Sequence, residues 1–257
     1  MTQYAELLPA IVAMAHDAGA KIMEIYRTDF HVDRKEDDSP VTEADTAAET
    51  IITRALQALT PDYAIVAEEA ASRGELPDVG DAPFWLVDPL DGTKEFLNQN
   101  GEFTVNIALI VARKPVLGVI YAPALDETFT GIAGTGATRA RNGGTPAPIS
   151  VRAVPKDGVT VLASRRHGDP DTLAAFLKGR ALAGIKNAGS SLKFCLLAAG
   201  EADVYPRFGN TWEWDTAAGH AILLAAGGLV TTEDGAPLGY AKNPLLNPHF
   251  IAWGGLR

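Results

Sequence analysis

The chain has 257 residues, 47% of them hydrophobic, and a formal net charge of −10 from 22 lysines and arginines against 32 aspartates and glutamates. That length and apolar content suit one large domain or two joined halves with a substantial core, and exclude a disordered chain. The acidic balance excludes an ordinary nucleic-acid binder, which presents a basic face, and makes any anionic substrate a puzzle to resolve.

In chain order, residues 4–26 place Leu8, Ile11, Val12, Ala15, Ile22 and Tyr26 at helical spacing. The early Glu6 and this amphipathic rhythm argue against a secretory leader. A second helix follows in VTEADTAAETIITRALQAL (41–59), with Ala48, Ile51, Ile52, Ala55, Leu56 and Leu59 on one face and Pro61 ending it. Thr42-Glu43-Ala44-Asp45 fits a capping box, so Asp45 opens that helix. Short apolar runs then read as strands: 64–67, 84–87, 103–111, 116–122 and 128–133, separated mostly by Gly, Pro and Asn. GTGATRARNGG (134–144) lacks the GxGxxG spacing and reads as a hairpin.

Residues 151–155 look like a hinge between an α+β half (1–150) and an α/β half (151–257) that share one core. The second half alternates: strand 159–163, helix 171–177, strand 181–185, helix 191–199 and strand 202–205. A helix from Thr216 to Ala226, stopped by Gly227-Gly228, and a strand at 229–232 complete it. No apolar run approaches the ~20 residues of a membrane span. The single cysteine, Cys195, lies in the apolar stretch LKFCLLAAG and reads as core in a reducing compartment. Cytoplasmic placement is expected, with peripheral association at the inner membrane left open, as is monomer against homodimer.

The acidic residues at element boundaries carry the chemistry. Glu68 and Glu69 follow the strand AIVA, Asp88 and Asp91 follow FWLV, and Asp215 opens the helix beginning at Thr216. Singly, each has a structural explanation as a cap or a loop solvator. Together, strand ends gather along one sheet edge, where ligands bind. Two unit charges about 4 Å apart repel by ~4 kcal/mol at an effective dielectric of 20, so such a cluster needs a positive group among its members. Lys94 answers one charge; divalent cations answer several. The donors are all oxygens, which suits Mg²⁺ or Mn²⁺ over Zn²⁺, and the EF-hand spacing is absent. Gly92-Thr93 allows close backbone approach, and a helix starting near Thr93 would present N–H groups to an anion, so a phosphoryl group is the expected ligand. An ordinary Asp-Gly turn reads equally well from the dipeptide alone.

WLVDPLDGTKEF, with VAEE upstream and WEWDTAAGHAIL downstream, resembles the inositol monophosphatase superfamily of metal-dependent, lithium-sensitive phosphatases over essentially the whole chain. The resemblance implies a layered αβαβα sandwich. GEFTVNIALI, VLGVIYAP, GSSLKFC and YPRFGNTWEWDTAAGHA are similar to the bacterial 3′(2′),5′-bisphosphate nucleotidase branch. That branch implies hydrolysis of 3′-phosphoadenosine 5′-phosphate, a by-product of sulfate activation, to AMP and phosphate, with two or three Mg²⁺ ions, Mn²⁺ serving as substitute. It further implies that Glu68, Asp88 and the Leu90 carbonyl hold one ion, and that Asp88, Asp91 and Asp215 hold a second. Asp45 and Thr93 would orient and deprotonate the attacking water, and the Gly92 and Thr93 N–H groups would bind the scissile phosphate. Besides Glu68, Leu90, Asp91 and Asp215, substrate contacts would come from His167, Ser191, Lys193 and Arg207. Ala67 departs from the pattern, since many relatives have Gly or Ser before the acidic pair, and Ser72–Pro83 is short and Gly/Pro-rich.

Three rivals predict different outcomes. A haloacid-dehalogenase-type enzyme needs two aspartates two positions apart and an aspartyl-phosphate, whereas these are three apart. An inositol or sugar phosphatase would prefer those substrates. A cation-stabilised scaffold would have no activity to lose.

Overall fold

The computed structural model describes residues 4–28, 32–34, 40–164 and 170–255. After one 3-10 turn, α1 (Leu8–Tyr26) buries Ile11, Met14, Ala15, Ala18, Ile22 and Ile25, the stripe its spacing dictates. A ribbon of β1 (Val32–Arg34) and β2 (Pro40–Thr42) leads into α2 (Glu43–Leu59), whose N-cap is Thr42.

Seven strands then form one sheet in sequence order: β3 (Ala64–Ala67), β4 (Phe84–Asp91), β5 (Thr104–Val111), β6 (Lys114–Ala122), β7 (Glu127–Ile132), β8 (Gly136–Arg141) and β9 (Ala147–Ile149). Only β3 and β4 pair in parallel; α3 (Glu68–Ser72) starts the crossover between them, and α4 (Thr93–Leu97) follows β4. The glycine-rich 134–144 segment contains β8 and pairs as a hairpin with β7.

Residues 151–158 carry the chain to a second sheet. Its elements are β10 (Val159–Ala163), α5 (Pro170–Leu177), β11 (Leu182–Asn187), α6 (Leu192–Ala198), β12 (Val204–Arg207), α7 (Glu213–Ala225), β13 (Leu229–Thr232) and β14 (Phe250–Trp253). The strand order is β11-β10-β12-β14-β13, parallel around β10 and antiparallel around β14. The connecting segment is tied down: the Val151 N–H reaches the Ala226 carbonyl at 3.0 Å, and Arg152 pairs with buried Asp203 at 2.8 Å.

The layers follow from strand periodicity. In β4, Trp85 and Val87 join α1 and α2 in one core, while Phe84 and Leu86 face the other, shared with α6, α7 and the small sheet. α5 covers the small sheet's outer side through Leu173 and Phe176. The result is the αβαβα sandwich, with both faces of the large sheet buried.

Two glycines set the position of α7. A Cβ on Gly118 (β6) would collide with the Ala218 carbonyl, and one on Gly131 (β7) with Cα of Ile222. Bare backbone at these points lets α7 lie directly on the large sheet. Its start differs from the sequence expectation: the helix begins at Glu213, so Asp215 is its third residue rather than its cap. No helix among the described residues is long and apolar enough to cross a membrane.

Candidate active site

The site is built where β3 and β4 end. Their parallel register pairs Ala67 with Val87, so the next residues, Glu68 and Asp88, fall side by side. In a regular strand Asp88 and Asp91 would point to opposite faces, because side chains alternate. Pairing with β5 slips here: Asp88 lies opposite Asn106 and Asp91 opposite Thr104, an extra residue on β4. Pro89, which has no N–H to donate, sits in this bulge. The inserted residue turns two aspartates three apart toward one place, as bulges near functional sites do.

Gly92 then takes a left-handed conformation (φ 94°), which a side chain would strain, and starts α4. Its Cα faces the Glu102 carbonyl and Ser190, so a Cβ there would sit 3.2–3.3 Å from both. From α2, Asp45 points Oδ1 at the Thr93 hydroxyl, 3.4 Å away and long for such a bond, while its Oδ2 accepts the N–H and hydroxyl of Thr42 at 2.7 Å. The Asp215 Oδ2 accepts the Trp212 N–H at 2.8 Å.

The electrostatics show the convergence. Asp88 is 1% exposed; its carboxyl is pushed well above the usual range by burial first, then by the charges of Glu68, Asp91 and Asp215. A hydrogen bond between the Asp88 carboxyl and Glu68 adds to that shift. Asp215 is raised by burial, Asp91 and Glu68. Asp91 rises to about 6 by burial, moderated by the Lys193 ammonium and Asn106. Asp45 rises to about 7 by burial, opposed by its bonds to Thr42 and reinforced by Glu69 and Glu68. Four carboxylates from three separated stretches therefore feel one another.

Among the described residues, no three Asp, Glu, His or Cys side chains already form a closed metal cage. The donors nevertheless fit a hard divalent cation. They are all oxygens, Asp88 is buried and Glu68, Asp91 and Asp215 are half-buried, and their mutual repulsion is the cost a cation removes.

A cavity of ≈ 340 Å³ opens on this cluster, lined by the acidic Glu68, Asp91 and Asp215, by Gly92 and Thr93, and by Ser190, Lys193, Tyr205 and Arg207. Lys193 is buried, and burial lowers its ammonium to about 8 despite the nearby Asp91 charge; it donates to the Ala188 and Ser190 carbonyls. Of three buried side-chain polar atoms without a partner among the described residues, two line this cavity: Ser190 Oγ and Arg207 Nε. Such atoms are costly unless a ligand meets them.

Sequence reasoning missed Ser190. Ser191, singled out beside it, is 2% exposed and bonded to Thr104 and Asn106 at 2.9 and 2.8 Å. Ser190 instead holds φ +43° and carries the unpaired hydroxyl. Asn106 was also missed; it reaches Asp91 Oδ2 at 3.4 Å and accepts from Ser191, bracing one carboxylate. His167 lies outside the described residues. Cys195 is fully buried, and burial pushes its thiol well up, as a core residue requires.

This fold, with an oxygen-donor cluster facing a helix start and a basic wall, defines a metal-dependent phosphatase class of site. Residues 3–253 match the Inositol monophosphatase family, so the chain belongs to that family, whose enzymes are metal-dependent phosphatases. It is 46% identical over 247 residues to 3′(2′),5′-bisphosphate nucleotidase CysQ of Salmonella typhimurium, covering 95% of this chain and 98% of that one, and 44% identical to the Escherichia coli K12 protein of that name over the same shares. The crystal structure of CysQ from Bacteroides thetaiotaomicron, described as a bacterial member of the inositol monophosphatase family, superposes with TM-score 0.82 at 39% identity over 100% of both chains. An Anabaena inositol monophosphatase structure gives 0.79 at 29% identity, over 99% of this chain and 92% of that one.

Proposed function

We propose that this protein hydrolyses the 3′-phosphate of a 3′,5′-bisphosphate nucleotide, 3′-phosphoadenosine 5′-phosphate in the first instance, to a 5′-monophosphate and phosphate. The observation that carries the reading is the juxtaposition of the acid cluster with a wall holding Ser190, Lys193 and Arg207. One phosphate belongs at the acids and a second anionic group at the basic wall, which a bisphosphate supplies and inositol 1-phosphate does not. The names and near full-length similarity of the Salmonella and Escherichia coli relatives support the same choice.

Glu68, Asp88 and the Leu90 carbonyl would hold one Mg²⁺, and Asp88, Asp91 and Asp215 a second, with Mn²⁺ able to substitute and room for a third ion. Such ions make a water acidic near neutral pH and offset charge on the attacking and leaving oxygens. The chain's own residues do the rest. Thr93 Oγ1 takes the water's proton while passing its own to Asp45 Oδ1, whose buried carboxylate is raised to about 7 and so suits a base working near neutrality. The Gly92 and Thr93 N–H groups bind the non-bridging phosphate oxygens, and the left-handed Gly92 brings that backbone close. Asn106 holds Asp91, and Ser190, Lys193 and Arg207, with His167 from the undescribed segment, hold the remainder of the nucleotide.

The charge puzzle resolves locally: a chain of net charge −10 receives a polyanion where bound cations and Lys193 invert the field. Cytoplasmic action in the disposal of a sulfate-activation by-product fits this substrate. Phosphate release from a panel of phosphomonoesters, with and without Mg²⁺ and with added Li⁺, tests the reading. It predicts Mg²⁺-dependent, Li⁺-inhibited release fastest from 3′-phosphoadenosine 5′-phosphate. Faster cleavage of inositol 1-phosphate would place the enzyme in the other branch, and no Mg²⁺ dependence would overturn both.

A further inference from the structure

Glu49 lies on α2 one turn beyond Asp45 and outside the acid cluster, yet it is buried. Its Oε2 accepts the Glu69 N–H at 2.7 Å and its Oε1 the Ala70 N–H at 3.0 Å. These are two of the orphan donors that begin α3, the short helix whose first residue is Glu68. A helix ordinarily satisfies such donors with a serine, threonine or aspartate at its N-cap. Here the N-cap is Ala67, which has no acceptor and makes no side-chain cap bond, although its backbone (φ −120°, ψ 145°) is the extended one a cap adopts. The missing cap is thus supplied by a carboxylate from another helix. Arg73 Nη2, from the C-cap residue of α3, stands 3.6 Å from Glu49 Oε1 and adds an ion pair to the clamp.

We infer that Glu49 is a positioning residue that fixes the backbone under Glu68, and thereby sets the affinity of the site for its divalent cation. The inference rests on the metal reading of Glu68. Its geometry is independent of that reading: α2 holds Asp45 against Thr93 with one turn and α3 with the next, so the proton acceptor and a metal carboxylate are referenced to one rigid helix. Helix α3 has five residues and cannot hold its own start without an outside partner. Outer partners of ligating groups act in this way, and their loss typically costs about 10- to 100-fold in metal affinity.

The test is Mn²⁺ binding by calorimetry, without substrate, to the full chain and to Glu49→Gln. Gln keeps one acceptor and turns an amide donor toward a backbone N–H, so one bond is lost and volume is retained. Mn²⁺ affinity is expected to fall about 10- to 100-fold, with the metal-free melting temperature little changed. In the Glu49→Gln/Ala67→Ser double variant, a serine at the N-cap replaces the lost acceptor and should recover most of that affinity. If the parent binds Mn²⁺ and Glu49→Gln binds it within twofold as tightly, the inference fails while the metal reading stands. If affinity falls and the serine restores melting temperature but not binding, Glu49 acts on the cation by its charge rather than through the start of α3, and the inference also fails. A parent that binds no Mn²⁺ sinks the metal reading itself. Should Glu49→Gln not fold, Glu49→Asp keeps the charge and withdraws both acceptors by one methylene. The same weakening is then expected, and unchanged affinity overturns the inference.

Discussion

Helices α2 and α7 begin with the same device in different surroundings. Each carries an aspartate at its third position whose Oδ2 accepts the backbone N–H of the N-cap residue: Thr42 to Asp45 at 2.7 Å, Trp212 to Asp215 at 2.8 Å. In α2 the second oxygen, Oδ1, faces the Thr93 hydroxyl; in α7 the carboxyl instead feels the charges of Asp91 and Glu68. Capping and chemistry are therefore not rival readings of such an aspartate. One oxygen secures the helix and the other is delivered to the site at a fixed angle. The helices differ two positions before that aspartate: Glu43 is exposed, whereas Glu213 is fully buried and accepts the Ala241 and Lys242 N–H groups and the Lys242 ammonium. α2 is held by its own first turn, α7 by a loop nearly thirty residues downstream.

The largest expected effect separates the two oxygens at Asp215. Asp215→Asn keeps an acceptor for Trp212 but removes a charge from the cluster. Phosphate release in saturating Mg²⁺ should fall on the order of a thousandfold, while the metal-free melting temperature, read by calorimetry in EDTA, should rise because a half-buried repelling charge is gone. A folded Asp215→Asn enzyme with undiminished turnover would leave that residue a cap and nothing more.

Asp45→Asn should cost less and differ in kind: a drop of about 10²- to 10⁴-fold in kcat with Mn²⁺ affinity nearly intact, since Asp45 faces Thr93 rather than the ions. Equal loss of Mn²⁺ binding in both variants would erase the distinction between the helix starts.

Much of the first helix start was legible. Thr42-Glu43-Ala44-Asp45 is a local signal, and DPLDGT compresses two carboxylates, a carbonyl and an anion-binding turn into six residues. The second start was misread by three residues because Trp212-Glu213-Trp214 contains no ordinary cap; its donors are satisfied by Asp215 and its glutamate by a distant loop. Ser190 escaped for a related reason. Both serines line the cavity, but which of them keeps an unpaired hydroxyl depends on a positive φ and on Thr104 and Asn106, some 85 residues away. Glu49 is not singled out by the sequence, because its partners belong to another helix. Local chemistry could be read from the chain; its tertiary partners could not.

The raised carboxyls also predict an acid response. Asp45 titrates near 7 and Asp91 near 6 in the folded chain, against about 3.9 for a free aspartate, and Asp88 and Asp215 are raised as well. A raised carboxyl destabilises the fold above its folded pKa, and that penalty disappears as pH falls toward the unfolded value. The metal-free protein should therefore become more stable from pH 7.5 to about 5. His220 works against this trend: buried and bonded to Tyr240, it is pushed down to about 3, so its contribution to stability is lost as pH falls below about 6.5. With five raised carboxyls, Glu49 among them, opposing one imidazole, the net slope stays upward on acidification to pH 5. Saturating Mg²⁺ should reverse it, because protons then compete with the bound ions. Melting curves against pH with EDTA and with Mg²⁺ check both signs; parallel curves would mean that no cation resides among these acids.

The smallest effect belongs to Thr42. Its hydroxyl accepts the Ala44 N–H at 3.2 Å and donates to Asp45 Oδ2 at 2.7 Å. Thr42→Ala removes both contacts while leaving the Thr42 N–H on Asp45. Loss of a cap costs about 1 kcal/mol, which chemical denaturation would resolve. Activity should fall only a fewfold, because the backbone N–H still directs Oδ1 at Thr93. Thr42→Ser should recover the stability. If Thr42→Ala instead loses activity as deeply as Asp45→Asn, the threonine hydroxyl rather than the helix backbone orients the carboxylate, and α2 and α7 would aim their aspartates by different means.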